Sequence, residues 1–234
     1  MLNQIRGGLV VSVQADGAEP LNQPDILTAL AQSVVSGGAM ALRLAQPHNI
    51  RAIRAALPSI PLIGLTKPEP LPTQAYGQVY ITPGWPEMES LVAAGAEMIA
   101  MDATARPRPG GETLAVLVER FRKTYPQHWL MADVDTLENG LSAAALGFDC
   151  IGTTLSGYTP ETLNRDNGLP DWDLLRRLRE RVSVPILLEG RVWEPSQVAY
   201  AFEQGAHAVV VGSAITRPQL ITRRFAQQAL AGGG

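Results

Sequence analysis

"EQGAHAVVVG", residues 203–212, shares its pattern with three other stretches of the chain. These are "SGGAMALR" at 36–43, "AAGAEMIAMD" at 93–102 and "ALGFDCIGTT" at 145–154. Each is typical of a helix end, a glycine, one or two linking residues and a buried strand, because glycine readily takes the left-handed conformation that closes a helix. The pattern predicts repeated helix–strand units, with the turning glycines at Gly38, Gly95, Gly147 and Gly205.

Other apolar runs bring the predicted strands to eight. They are predicted to end near Gln14, Arg43, Thr66, Asp102, Asp133, Thr154, Gly190 and Gly212. Helical patterns lie at about 24–36, 48–56, 86–94, 112–124, 136–146, 171–181, 195–203 and 216–230. Eight strands, each followed by a helix, predict an α/β fold, a single (β/α)8 TIM barrel over residues 1–234. An open doubly wound sheet is the alternative, but no G-x-G-x-x-G follows the first strand.

A ninth apolar run, "VYITP" at 79–83, does not fit the count of eight strands. We place it in an elaborated loop, residues 68–84, between Lys67 and the third helix. The sequence does not predict the conformation of this loop.

Length and composition favour one domain that acts on a small molecule. The 234 residues suit an α/β barrel, which typically takes about 250 residues. The formal net charge of -3 gives no general attraction to nucleic acid or an anionic membrane. No apolar stretch approaches the roughly 20 residues needed to span a bilayer. We therefore expect a soluble, cytoplasmic protein that binds neither nucleic acid nor membrane.

Cysteine and histidine usage argues against metal chemistry. Cys150 is the sole cysteine, so there is no internal disulfide, and its apolar neighbours favour a core position. His128 and His207 lie at strand beginnings, on the face opposite the active rim of a barrel. No histidine pair or carboxylate cluster is placed to hold a divalent metal tightly, so we predict no metal site.

The carboxyl-terminal ends of barrel strands converge on one rim, where the chemistry of this fold is usually found. The predicted rim is too polar for a plain packing layer. It carries Gln14, Arg43, Lys67, Asp102, Asp133, Thr153, Thr154, Glu189, Gly212 and Ser213.

Lys67 ends the apolar run of "PLIGLTKPEP", residues 61–70. Held at a rigid strand end and partly buried, its amine would have a lowered pKa and could act as a base. The alternative is a solvated loop lysine, since Pro68 and Pro70 are typical of a surface.

Glu189 and Asp133 are the carboxylates that end strands in the same way. Glu189 interrupts "VPILLEGR", and a buried carboxylate needs a purpose or a partner. The alternative for Glu189 is a structural ion pair with Arg191. Asp133 could position a hydroxyl or orient Lys67, or it could cap the helix that begins near Thr136.

The loops after strands seven and eight predict a phosphate site. Gly190 follows strand seven, and Gly212 with Ser213 leads from strand eight into a helix. Exposed backbone N–H groups at such a helix start form the usual phosphate site of this fold. Arg217 lies just beyond and can donate charge-assisted hydrogen bonds, so the barrel is predicted to be of the phosphate-binding type.

The stretch "MDATARPRPGGETL", 101–114, joins strand four to its helix. A surface turn is one interpretation of the proline-broken part that carries Arg106 and Arg108. Asp102, at its start, is the better candidate for the site.

The chain resembles the N-acetylmannosamine-6-phosphate 2-epimerase family of bacterial amino-sugar and sialic acid catabolism. The similar stretches run from about residue 7 to 225. The most specific are "DATxRxRP", "GTTLSGYT" and "GSAITRPQ"; others include "GGLVVSVQA", "IGLTK", "LMADVDTLENG" and "EGRVWEP". One departure is Pro68, where many members have arginine.

The resemblance implies a barrel that interconverts N-acetylmannosamine 6-phosphate and N-acetylglucosamine 6-phosphate without a metal or redox cofactor. It places the catalytic residues at Lys67 and Glu189. It places substrate contacts at Gln14, Arg43 and Asp133, with Gly212, Ser213 and Arg217 at the phosphate end. The partner is then a phosphorylated amino sugar; a homodimer is one candidate assembly, which the sequence does not decide.

Two other functions remain open at this point. Lys67 could form a Schiff base in a sugar-phosphate aldolase or lyase, in which case borohydride would trap the imine. The barrel could also be a noncatalytic sugar-phosphate sensor, although a sensor does not need both Lys67 and Glu189 at strand ends.

Overall fold

We describe a computed structural model that covers residues 1–69, 77–165 and 168–232. Eight parallel strands pair in chain order, and the last pairs with the first to close a barrel. They are β1 Leu9–Val13, β2 Ala41–Ala45, β3 Leu62–Leu65, β4 Met98–Asp102, β5 Trp129–Asp133, β6 Cys150–Gly152, β7 Ile186–Glu189 and β8 Ala208–Val211. The predicted (β/α)8 barrel is confirmed.

The helices alternate with the strands around the barrel. They are α1 Leu2–Ile5, α2 Pro24–Ser36, α3 Pro47–Ala56, α4 Trp85–Ala93, α5 Leu114–Thr124, α6 Leu137–Leu146, α7 Trp172–Arg181, α8 Pro195–Glu203, α9 Ser213–Thr216 and α10 Pro218–Gly232. A short 3-10 helix also lies at Leu163–Arg165. No helix within the described ranges is both long and apolar enough to cross a membrane.

The ends of the helices follow from local chemistry. Thr113, Thr136 and Asp171 accept a backbone N–H with their side chains at the starts of α5, α6 and α7. The four predicted turning glycines all have positive φ, between 88° at Gly205 and 104° at Gly38. The repeat seen in the sequence is therefore a repeated helix-to-strand turn.

The predicted helix at 216–230 is wrong in its first turn. The chain forms two helices here, α9 and α10, which are separated by Arg217. Arg217 has φ -121° and ψ 75°, outside the helical region, because the residue before a proline is disfavoured there. Pro218 then begins the next helix, where its missing N–H is not needed.

Inward-facing side chains fill the barrel. They include Val10, Ile63, Met98, Met131 and Cys150. Cys150 is buried, with its Sγ 3.7 Å from Met98 Sδ, and burial raises the pKa of the thiol. The predicted core position of Cys150 is confirmed. A second, larger apolar layer packs the outer face of the strands against the helices.

The ninth apolar run lies in a loop, as expected. Residues 79–83 form no strand, yet Val79 and Ile81 are buried. The Val79 N–H donates to Pro107 O at 3.0 Å, and the Asp102 N–H donates to Ile81 O at 3.0 Å. The loop is thus held against the end of β4. Residues 70–76 of the predicted 68–84 loop lie outside the described residues.

Candidate active site

A cavity of about 430 Å³ opens at the carboxyl-terminal ends of the strands. It is lined by Ser12, Gln14, Lys67, Tyr80, Ile81, Thr154, Leu155, Tyr158, Glu189, Gly190, Arg191, Val192, Trp193, Val210, Gly212, Ser213, Thr216, Arg217 and Leu220. Most of the predicted site residues are therefore brought to one cavity, although they come from widely separated parts of the chain.

Lys67 lies two residues beyond β3, half-buried in the cavity wall. Its backbone carbonyl accepts a hydrogen bond from Gln46 Nε2 at 2.6 Å. Within the described part of the chain, no hydrogen bond or ion pair engages its amine. Burial, helped by the nearby charge of Arg43, lowers the pKa of Lys67. These features suit a base better than a solvated loop lysine.

Glu189 is the last residue of β7, and its carboxylate accepts a hydrogen bond from Arg43 Nη1. The alternative of a structural pair with Arg191 is wrong: Arg191 instead donates to the carbonyls of Leu169 and Ser156, at 2.7 and 2.8 Å. Burial raises the pKa of Glu189, although the charge of Arg43 opposes this. Burial thus favours the acid form of Glu189 and the neutral form of Lys67.

Arg43 and Asp133 form a buried ion pair beneath the cavity. Their side chains are 1% and 0% exposed, and the two hydrogen bonds between them measure 3.0 and 2.6 Å. Asp133 also accepts from Thr154 Oγ1 at 2.6 Å. Burial alone would lower the pKa of Arg43, but the carboxylates of Asp133 and Glu189 together raise it. Arg43 therefore remains a cation.

Arg43 and Asp133 were predicted to contact substrate. Neither is among the residues that line the cavity, and each binds the other. Their contact with substrate stays a prediction. The geometry favours a positioning role, in which Arg43 fixes the carboxylate of Glu189. The helix-cap alternative for Asp133 is also wrong, since Thr136 caps α6.

At the predicted phosphate end of the site, glycines line the cavity and the arginine is already paired with carboxylates. Gly190 has φ 110°, a conformation that L side chains rarely adopt, and Gly212 precedes α9 at the cavity wall. Arg217 donates to Asp16 at 3.0 Å and to Glu19, both from the loop after β1. A phosphate would have to compete with these two carboxylates for Arg217, so its role in phosphate binding stays a prediction.

Gln14 presents an unsatisfied acceptor to the cavity. Its Nε2 donates to Ser12 Oγ at 2.7 Å, which fixes the amide. Its Oε1 is buried and has no hydrogen-bond partner among the described residues. An unpaired buried acceptor is costly, so this oxygen is suited to accept an N–H from a ligand.

Asp102 does not belong to the cavity. Its carboxylate pairs with Arg106, and Thr104 Oγ1 donates to it at 2.7 Å. The surface-turn interpretation of the following loop is also wrong, because Arg106 is only 8% exposed and Arg108 is partly buried. Both arginines point back onto the protein, not into solvent.

Comparison with known proteins decides the family. A family model described as "Putative N-acetylmannosamine-6-phosphate epimerase" matches residues 27–230. The chain belongs to this family. The resemblance based on sequence motifs is thereby confirmed.

Individual relatives agree. A protein of Caldanaerobacter subterraneus subsp. tengcongensis, named "Putative N-acetylmannosamine-6-phosphate 2-epimerase", is 44% identical over 96% of this chain and 92% of its own length. One of Thermosynechococcus vestitus with the same name is 45% identical over 96% of this chain and 94% of its own. The solved N-acetylmannosamine-6-phosphate 2-epimerase of Clostridium perfringens is 40% identical and superposes with a TM-score of 0.89, covering 97% of this chain and 95% of that one.

Part of the cavity wall in this member of the epimerase family was not predicted from the sequence. Tyr80, Tyr158 and Trp193 line the cavity. The guanidinium of Arg191 lies 5.4 Å from the ring centre of Tyr158. Aromatic residues in loops that follow strand ends would have been the signal. The described residues also contain no group of three or more metal-binding side chains; metal independence stays a prediction.

Proposed function

We propose that the protein interconverts N-acetylmannosamine 6-phosphate and N-acetylglucosamine 6-phosphate by removing and returning the proton at C2. The observation that carries this proposal is that an amine and a carboxyl group, Lys67 and Glu189, line one cavity. Burial there lowers the pKa of Lys67 and raises that of Glu189. Groups tuned in opposite directions in one cleft are typical of acid–base chemistry. Family membership names the same reaction.

The two sugars differ only in configuration at C2, next to the C1 aldehyde of the open chain. Removing the C2 proton moves the C–H electron pair into the C1–C2 bond and leaves an enolate oxygen on C1. Lys67 serves as the principal base, because its amine is not committed to an ion pair within the described residues. Return of a proton to the opposite face inverts C2.

Glu189 assists this chemistry as an acid. In its protonated form it can donate to the enolate or hydroxyl oxygens, or return the proton. Arg43 holds the carboxylate in place and is itself held by two bonds to Asp133. This restraint preorganises Glu189. Preorganised groups contribute most to catalysis where charge develops in a site that excludes water.

The remaining predicted residues position the substrate. Gln14 Oε1 is suited to accept the acetamido N–H, and the backbone around Gly190, Gly212 and Ser213 is suited to the phosphate. Binding energy from this distant group would hold C2 near Lys67.

The function is tested by following N-acetylmannosamine 6-phosphate by NMR with purified protein and no added cofactor. Appearance of N-acetylglucosamine 6-phosphate, at a rate proportional to protein concentration, is expected. Release of a smaller carbonyl product, or inactivation by borohydride in the presence of substrate, would instead favour the Schiff-base alternative.

We expect activity to survive exhaustive chelation. Proton transfer at C2 can proceed with amine, carboxyl and guanidinium groups alone, and these are what the cavity and its floor supply. The measurement is kcat/KM before and after dialysis against a chelator. Loss of most activity, restored by a divalent ion, would refute this expectation.

We also expect the phosphate to be required. Hydrogen bonds to a charged group contribute about 1.5–3 kcal/mol each, so removing the phosphate should lower kcat/KM by about 10²-fold or more. The comparison is N-acetylmannosamine against its 6-phosphate under the same conditions. Similar kcat/KM values for the two sugars would show that the reaction does not require the phosphate.

A further inference from the structure

The "DATARPRP" stretch forms a buried cluster of its own outside the catalytic cavity. Asp102 is 0% exposed and accepts from the Thr104 N–H at 3.0 Å and from Thr104 Oγ1 at 2.7 Å. Arg106 pairs with the second carboxylate oxygen, and its Nε donates to Thr104 Oγ1 at 2.9 Å. The cluster is therefore internally satisfied and has no free carboxylate to offer a substrate.

Two other guanidinium donors of the cluster bind the loop 78–83. Arg106 Nη1 donates to Gln78 O at 3.1 Å, and its guanidinium lies 5.9 Å from the ring centre of Tyr80. Arg108 Nη1 donates to Pro83 O at 3.3 Å, while its Nη2 donates to Asp102 O. The two arginines thus hold both ends of the loop against the end of β4.

The loop 78–83 is hydrogen-bonded directly to Thr66, the residue before Lys67. The Thr82 N–H donates to Thr66 O, and the Thr66 N–H donates to Thr82 Oγ1, both at 3.1 Å. Thr82 is fully buried and has φ 44°, in the left-handed region that a β-branched residue rarely enters. Such a conformation persists only where surrounding contacts enforce it. Arg106 and Arg108, which bind the two ends of the loop, provide such contacts.

We propose that Asp102, Arg106 and Arg108 are positioning residues, which hold Thr82 against Thr66 and so fix Lys67 at the cavity wall. The inference rests on the proposed function for its meaning, since Lys67 is the base there. It assigns a role to a motif that does not touch the cavity. The planar arginine fork suits this role because one group can bind a carboxylate and a carbonyl together.

The chain offers a direct probe of this positioning. Lys67 and Lys123 are the two lysines of the chain, so protein labelled with ¹³C at lysine Cε gives two signals. Lys123, which is 74% exposed on α5, gives the second signal. Burial lowers the pKa of Lys67, so displacement of its amine towards water should be seen as a rise in that pKa.

The variants separate position from charge. Arg108→Gln removes the contacts to Pro83 and Asp102, and Thr82→Ala removes the acceptor for the Thr66 N–H without changing any charge. The charged groups around Lys67, which are Arg43, Asp16, Asp133 and Glu189, are untouched in both. Arg122→Gln is the matched control. Like Arg108, Arg122 binds two backbone carbonyls, those of His128 and Gly147, and it also binds the carboxylate of Asp149.

Both Arg108→Gln and Thr82→Ala are expected to raise the measured pKa of Lys67 towards that of an ordinary lysine. They should lower kcat by about 10²-fold, the loss that a displacement of about 1 Å can cause, with KM changing less. Arg122→Gln should lower the melting temperature but leave the Lys67 signal and kcat near wild type.

Unchanged Lys67 titration in folded Thr82→Ala and Arg108→Gln proteins would overturn the proposal. An equal change in the Arg122→Gln protein would also overturn it, because the effect would then be general loosening. The titration needs no substrate. Absence of epimerase activity in the wild type would therefore refute the proposed function, while the Lys67 signal still decides the positioning role.

Discussion

Lys67→Ala is expected to fold, to bind substrate and to lose about 10²- to 10⁴-fold in kcat, the usual contribution of a positioned general base. The reason is that alanine retains the end of β3 but removes the amine from the cavity. Lys67→Arg should not restore activity, since a guanidinium stays protonated near neutral pH and cannot accept the C2 proton. The measurements are kcat and KM from an NMR or coupled assay, with circular dichroism to confirm folding.

Lys123→Ala is the matched control for this prediction. It removes the other lysine, which is exposed and pairs with Glu119 at 2.6 Å. Its kinetics should equal those of the wild type. If the kcat of Lys67→Ala were within a few-fold of the wild-type kcat, Lys67 would line the cavity without taking part in the chemistry.

Glu189→Gln is expected to lower kcat by about 10²- to 10⁴-fold with little change in folding, because glutamine keeps the shape of the side chain but cannot donate an acidic proton. Arg43 keeps both of its bonds to Asp133 in this variant. The measurements are kcat/KM and the melting temperature, determined on the same preparation.

Glu97→Gln provides the comparison for Glu189. Glu97 pairs with Arg54 at 2.6 Å near the start of β4, far from the cavity lining. This variant should lose stability without losing turnover. If Glu189→Gln behaved in the same way, Glu189 would be a structural partner of Arg43 and would have no chemical role.

The convergence of the site could be predicted from the sequence because of the fold. Once the glycine-marked repeat predicts eight strands, every strand end must lie on one rim, however far apart the residues are in the chain. Lys67 and Glu189 are separated by more than half of the chain, yet both line the same cavity. Buried runs that end in a charged residue made both of them candidates for the rim.

The pairing of the polar groups could not be predicted in the same way. Whether Arg43 reaches up to a ligand or across to Asp133 and Glu189 depends on side-chain rotamers and burial, which a strand pattern does not specify. The pairing of Arg217 with Asp16 and Glu19 could not be predicted for a similar reason, since it joins two segments that lie about 200 residues apart in the chain.

The break between α9 and α10 and the Asp102 cluster each have a signal in the sequence. Pro218 disfavours helical geometry at Arg217, and this alone could have divided the predicted helix at 216–230. The spacing of Asp102 and Arg106 is four residues, and a threonine lies between them. An acid followed so closely by threonine and arginine at a strand end is suited to a closed local cluster.

The measurement that tests the central claim most directly is epimerisation in D2O. Wild-type protein and N-acetylmannosamine 6-phosphate are incubated without added metal, and C2 of the product is examined by NMR. If Lys67 removes the C2 proton and exchanges it with solvent, N-acetylglucosamine 6-phosphate should carry deuterium at C2, and Lys67→Ala should lose this exchange together with turnover. Product that forms at the wild-type rate and retains the original C2 proton throughout would contradict the account.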